Sequence, residues 1–164
     1  MKQRAKLRSV EELSRIVEQL RTQGKRVVLA NGCFDIIHVG HVRYLEAARA
    51  LGDCLVVGIN SDRSAWRLKG EGRPIMGEVE RAEIVEALEC VDFCFVFDEP
   101  TLDFAIRTLR PHVHAKGTDY TRDNVPERST VRAVGGVVEI VGDEKSHSTR
   151  ELVSVILERF SGKK

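Results

Sequence analysis

The stretch Val27-Val28-Leu29-Ala30-Asn31-Gly32-Cys33-Phe34-Asp35-Ile36-Ile37-His38-Val39-Gly40-His41 carries an apolar run into a glycine turn and then into an amphipathic segment. That order reads as strand, tight turn and helix start. It sets His38 and His41 beside the unpaired backbone N–H groups of a first helical turn. Helix starts favour anions by roughly 0.3 to 1 kcal/mol, and imidazoles add donors aimed at the same point. Such a corner attracts phosphate. The turn has neither the Gly-x-Gly-x-x-Gly spacing of a dinucleotide fold nor the Gly-Lys-Ser/Thr ending of a P-loop, so neither of those chemistries is supported.

Outward from this corner the pattern stays regular. Ser9 and Glu12 have capping-box spacing, and Val10, Leu13, Ile16, Val17 and Leu20 follow as a helical stripe, giving a leading helix within residues 1–25. Residues 41–51 are alanine-rich and stop at Gly52, and 54–59 read as a second buried strand. The cation-rich polar stretch 61–74 holds Gly70, Gly72 and Pro74 and predicts a mobile or irregular connection. A helix over 78–89, a strand over 91–97, a helix over 101–109 and a strand over Val113–Lys116 come next. A short helix over 127–134, a fifth strand over 137–141 and a closing helix over 148–160 complete the series. Continuously apolar strands alternating with helices predict an α/β fold, a doubly wound Rossmann-like parallel five-stranded sheet with helices on both faces. Such sheets bind ligands beyond the carboxyl ends of their strands, where the histidine corner lies.

Composition bounds the partners. With 164 residues, 42% hydrophobic and 31% charged, the chain suits a single domain over 1–164. A formal net charge of +1 gives no broad field for nucleic acid or anionic lipid, so an anion must be caught locally by a few placed cations. No apolar run approaches the roughly 18 residues that span a bilayer, and the N-terminal residues lead into no signal-like hydrophobic region, so a cytoplasmic protein without membrane contact is expected. Of the four cysteines, Cys54, Cys90 and Cys94 read as buried thiols, while Cys33 sits in the turn.

The two-part motif Gly32-Cys33-Phe34-Asp35 and His38-Val39-Gly40-His41 resembles the nucleotidyltransferase superfamily marked by Gly-x-Phe-Asp and His-x-Gly-His. Asn60-Ser61-Asp62, Arg67-Leu68-Lys69-Gly70, Gly72-Arg73-Pro74, Arg81, Lys116-Gly117-x-Asp119-Tyr120 and Ser148-Thr149 extend the likeness, which is to the heptose-1-phosphate adenylyltransferases and covers nearly everything from residue 27 to 155. In many of those enzymes this domain follows a sugar kinase, where this chain has a short leading helix. Thr118 stands where that family usually has glycine, and Arg150 where a second threonine is common.

The resemblance implies attack of a sugar-phosphate oxygen on the α-phosphorus of ATP, with Mg²⁺ bound to the triphosphate and pyrophosphate released. It gives His38, His41, Lys69 and Arg81 catalytic roles. His38 and His41 would bond the triphosphate, Lys69 would reach the α-phosphate, and Arg81 would hold the acceptor phosphate or the leaving group. It assigns Asn31, Gly32, Cys33, Phe34, Gly40, Lys116, Gly117, Asp119, Ser148 and Thr149 to the nucleotide, and Asp35, Arg73 and Tyr120 to the acceptor substrate. The partners are then ATP and a phosphorylated small molecule, with a homo-oligomer left open. No metal held by protein side chains alone is expected, since His38 and His41 lack His-Glu-x-x-His spacing.

Several residues also have plain structural readings. Ser148 with Glu151 is a capping box in its own right, Asp35 could cap a turn or organise the histidine loop, and Phe34 suits the core. His112 and His114 read as surface residues rather than a ligand pair, and Trp66 as either a base-stacking group or a packing anchor. Cytidylyltransferases for glycerol 3-phosphate or phosphoethanolamine, flavin mononucleotide adenylyltransferases and a non-catalytic nucleotide-binding regulator remain alternatives.

Overall fold

The computed structural model describes residues 6–144 and 148–161, so the first five residues of the leading segment lie outside it. Strands β1 (Val27–Gly32), β2 (Cys54–Asn60), β3 (Phe93–Phe97), β4 (Val113–Lys116) and β5 (Val137–Ile140) form one sheet in the order β3-β2-β1-β4-β5. Every pairing is parallel, which is the doubly wound arrangement expected. The helices are α1 (Val10–Thr22), α2 (Val39–Arg49), α3 (Asp62–Lys69), α4 (Glu78–Ala87), α5 (Asp103–Leu109), α6 (Arg128–Ala133) and α7 (Thr149–Phe160).

The period-2 geometry of β1 divides the core in two. Val28 and Ala30 pack with Leu45 and Ala48 of α2 and Ala82 and Val85 of α4. Val27 and Leu29 point the other way, against Leu13 and Val17 of α1 and Ile106 and Leu109 of α5. Each Val, Leu or Ile among them contributes about 1.5–3 kcal/mol when fully buried. All seven residues of β2 are buried, which is why the central strands carry unbroken apolar runs. The Ser9 and Glu12 capping box forms as the spacing predicts.

The structure corrects three expectations. Much of the polar stretch 61–74 is helix: Ser61 Oγ accepts from the Ser64 N–H at 3.0 Å, and Ser64 and Ala65 are buried beneath α3. That eight-residue helix shows no readable apolar stripe because so short a face needs only those two small residues. His114 is fully buried and His112 half-buried, its Nδ1 accepting from the Val27 N–H at 3.0 Å, so neither is a surface histidine. Cys54 and Cys94 are buried as expected, but Cys90, just beyond α4, is only half-buried.

Candidate active site

The order in which strands are added reverses between β1 and β4: β2 and β3 extend the sheet on one side, β5 on the other. The carboxyl ends of β1 and β4 therefore flank the crevice where open α/β sheets bind ligands.

The backbone leaving β1 is strained. Phe34 and Ile36 have φ of 52° and 53°, left-handed values that a β-branched residue rarely adopts and that cost about 1–3 kcal/mol each. Distant groups hold this shape. Arg81 Nη1 donates to the Cys33 carbonyl at 2.5 Å, and Thr149 Oγ1 donates to the Asp35 carbonyl at 2.6 Å. The Asp35 carboxylate, 2% exposed, accepts from Arg73 Nε at 2.7 Å and from the Ile75 and Met76 N–H groups at 2.9 and 3.0 Å. Burial alone would raise the Asp35 pKa, but these donors outweigh it and hold the carboxyl below its ordinary range. Of the two plain readings of Asp35, it organises the histidine loop. Phe34 is core, and its ring fills the space beside Gly32, where a Cβ would come within 3.1 Å of it.

The turn delivers two imidazoles to the start of α2. His38 is the N-cap, with Nδ1 accepting from the Gly40 N–H at 3.2 Å, while His41 Nδ1 accepts from the His38 N–H at 3.4 Å. Their ring centroids are 3.9 Å apart, and the Phe34 ring lies edge-on to His41. A neutral ring whose Nδ1 accepts must carry its proton on Nε2. Burial, then the neighbouring His38 and Lys69, pull the His41 pKa down to about 4, so that ring is neutral at neutral pH. The corner therefore offers a neutral Nε2–H donor on His41.

Lys69 ends α3, exposed, with its charge felt by both His41 and Cys33. Burial raises the Cys33 pKa despite Lys69, and its Sγ lies 3.7 Å from Asn60 Oδ1. Arg81 departs from expectation. It is fully buried, with Nε on the Met76 carbonyl at 3.0 Å, Nη1 on Cys33 and Nη2 on Asp62 at 2.9 Å. Its guanidinium clasps the turn to the segment after α3 and reaches no open surface, so it does not hold a phosphate in this arrangement.

Across the crevice, Lys116 Nζ donates to Asn31 Oδ1 at 3.2 Å and sits 4.6 Å from the centroid of the Tyr120 ring. Gly117, Asp119 and Tyr120 follow at the end of β4, with Asp119 and Tyr120 exposed. Ser148 Oγ accepts from the Glu151 N–H at 3.1 Å as the cap of α7, and Thr149 joins α7 to the histidine turn. Asn31, Gly32, Cys33, Asp35, His38, Gly40, His41, Arg73 and Thr149 are thus linked through one turn, while Trp66 stands 57% exposed on α3. The sequence reading missed His114 and Glu127, both buried beside Asn31 and Lys116. An isolated acidic residue before a short helix carries no signal that could have found the second.

Residues 29–159 match the family model described as cytidylyltransferase-like. Among curated proteins, the chain is 47% identical over 157 residues to the bifunctional protein HldE of Pelobacter propionicus and 50% identical over 156 residues to that of Geobacter sulfurreducens. These alignments take in 96% and 95% of this chain and 32% of each relative, so the chain spans about a third of their length. The solved lipopolysaccharide core biosynthesis protein from Thermoplasma volcanium superposes with a TM-score of 0.61 at 33% identity, covering 72% of this chain and 95% of that one.

Proposed function

The chain belongs to the cytidylyltransferase-like family, and on that footing we propose that it transfers AMP from ATP to a sugar 1-phosphate, D-glycero-β-D-manno-heptose 1-phosphate, giving an ADP-sugar and pyrophosphate. The observation that carries this reading is the His38 and His41 pair, adjacent tilted rings at the N-terminus of α2 with Nδ1 of each spent on backbone. The names of the relatives support it: a bifunctional HldE and a protein of lipopolysaccharide core biosynthesis.

A phosphate monoester has a second pKa near 6, so the acceptor arrives as an anion and no side-chain base is needed. One acceptor oxygen forms a bond to the α-phosphorus while the bridging oxygen to the β-phosphorus departs as pyrophosphate. The enzyme supplies alignment and charge neutralisation worth at least about 8 kcal/mol, of which a helix end gives at most about 2. His38 and His41 donate from Nε2 to oxygens that gain charge as pyrophosphate leaves. Lys69 meets the α-phosphate from the end of α3. Asn31, Gly32, Cys33, Phe34, Gly40, Lys116, Gly117, Asp119, Ser148 and Thr149 border the nucleotide, and Tyr120 the acceptor. Arg81, placed by the resemblance on a phosphate, and Asp35 and Arg73, placed by it on the acceptor, act in this reading by keeping the turn in shape.

Among the described residues no three His, Cys, Asp or Glu side chains come together as a metal cage. The imidazoles and ammonium at the corner bond phosphate oxygens and are not ligands for a hard divalent cation, so Mg²⁺ would enter with the triphosphate. Such an ion, when bound, supplies further neutralisation of the phosphates.

Residues 1–164 act in this reading as one nucleotidyltransferase domain in the cytoplasm. Among the described residues no helix is long and apolar enough to cross a membrane. A homo-oligomer would have the exposed Ile156, Leu157 and Phe160 of α7 available for contact.

Pyrophosphate release, measured with ATP and with CTP against a panel of phosphorylated acceptors, tests the proposal. Turnover with ATP and heptose 1-phosphate is expected. Tight nucleotide binding with no pyrophosphate from any acceptor would leave a binding regulator instead, and turnover only with CTP and glycerol 3-phosphate or phosphoethanolamine would transfer the assignment to those enzymes.

A further inference from the structure

At the crevice lies a buried polar group in which the catalytic reading uses Asn31 and Lys116 but gives no role to His114 or Glu127. Asn31 Oδ1, at the end of β1, is 3.2 Å from Lys116 Nζ and 3.2 Å from His114 Nε2, both on β4. Glu127, the N-cap of α6, approaches Lys116 with Oε2 at 3.8 Å. Its other oxygen accepts from the Leu102 N–H at 3.2 Å. All the charge here is out of water: Lys116 is 6% exposed, Glu127 3% and His114 0%. Glu127 Oε2 and His114 Nδ1 make no hydrogen bond at all.

A buried carboxylate that lies near an ammonium without a full hydrogen bond contributes little to stability and costs desolvation. Its position is what distinguishes it. The Asn31–Lys116 bond joins the ends of β1 and β4, the two strands between which the strand order reverses, and the Tyr120 ring covers the ammonium from the connection after β4.

We propose that Glu127 is a positioning residue: it anchors the Lys116 ammonium as a fixed positive charge at the β1–β4 crevice, where Lys116 meets the negative charge of the bound nucleotide. The proposal rests on the nucleotidyl-transfer reading. In so dry a place a lone lysine tends to shed its proton and lose its use as an anion contact. Burial does lower the Lys116 pKa, and Glu127 opposes that fall. Among the described residues Glu127 is the carboxylate paired with it. Asn31 faces it from β1, His114 from β4 with its own pKa driven to about 3 by burial and then by Lys116, and Tyr120 from the loop, near Asp119 and Cys33. His114 is thus a neutral ring that can donate from Nε2 to Asn31 Oδ1, fixing the amide so that its oxygen accepts from Lys116.

The test is Glu127→Gln in the full chain, which removes the charge and keeps a carbonyl oxygen for the Leu102 N–H. NMR of the Lys116 side chain should show it titrating at least one pH unit lower than in the native protein. ATP should bind about tenfold more weakly at pH 8, and Lys116→Ala combined with Glu127→Gln should bind no more weakly than Lys116→Ala alone. An unmoved Lys116 titration, or a double variant showing the full product of both losses, would overturn the proposal. If Glu127→Gln does not fold, Glu127→Asp is the second arm, since it keeps the charge but draws the carboxylate back from Lys116: the Lys116 titration should again move down, and no movement would refute the role of Glu127. Failure of the native protein to bind ATP would count against nucleotidyl transfer, while the Lys116 titration would still decide whether Glu127 anchors it.

Discussion

Arg73 Nη2 lies 2.7 Å from Asp35 Oδ2 in an ion pair whose carboxylate is 2% exposed, tying the segment after α3 to the strained turn that carries the histidines. A carboxylate with its pKa held below the unfolded value adds stability above pH ~4, and that stability disappears as pH falls through the folded value. Asp35→Asn should therefore cost about 3 kcal/mol at pH 7, in the range for breaking a buried pair. Urea titrations from pH 7 to 3 should show the gap between native and variant protein closing below pH ~4. A gap that is constant with pH would mean that the charge of Asp35 contributes nothing.

His41 should be neutral throughout the range in which the enzyme works. Its ring signals in NMR should titrate with a midpoint near 4, whereas an exposed histidine titrates near 6.5. Activity should not decline between pH 6.5 and 8.5 through loss of a His41 proton. His41→Ala should lower kcat by roughly 100-fold or more, the effect of removing one preorganised donor to a developing anion.

Lys69 and Arg81 should separate cleanly. Lys69 is exposed at the end of α3, so Lys69→Ala should leave stability within about 0.5 kcal/mol while kcat falls. Arg81 is fully buried with its guanidinium on Met76, Cys33 and Asp62, so Arg81→Ala should cost about 3–5 kcal/mol and lower activity only through the folded fraction and the distorted turn. Denaturant midpoints and kcat measured on the same two proteins check both statements. An Arg81→Ala protein of native stability with a large loss in kcat would restore Arg81 to direct phosphate contact.

The strands and the histidine corner were legible because their signals are local: unbroken apolar runs such as Leu55 to Val57, and a glycine turn entering a helix. What escaped depends on partners far along the chain. Arg81 reads as a free cation until the fold brings Cys33 to it across 48 positions, and Asp35 reads as a turn residue until Arg73 arrives across 38. The left-handed Ile36 has no local cause, since a β-branched residue avoids that region, and only the long-range bonds at Cys33 and Asp35 explain it. His114 alternates with His112 as on a half-exposed strand, yet it faces away from Val113 and Ala115, onto the side of the sheet that α1, α5 and α6 cover, and is fully buried. The helix α3 escaped because its two buried side chains, Ser64 and Ala65, are small.

The most direct test incubates the protein with ATP, Mg²⁺ and D-glycero-β-D-manno-heptose 1-phosphate and reads the products by mass spectrometry, beside a His38→Ala, His41→Ala double variant. ADP-heptose and pyrophosphate in equal amounts from the native chain, with at least a 100-fold lower rate from the double variant, is the expected result. Equal turnover by the two proteins would contradict the role of the paired imidazoles.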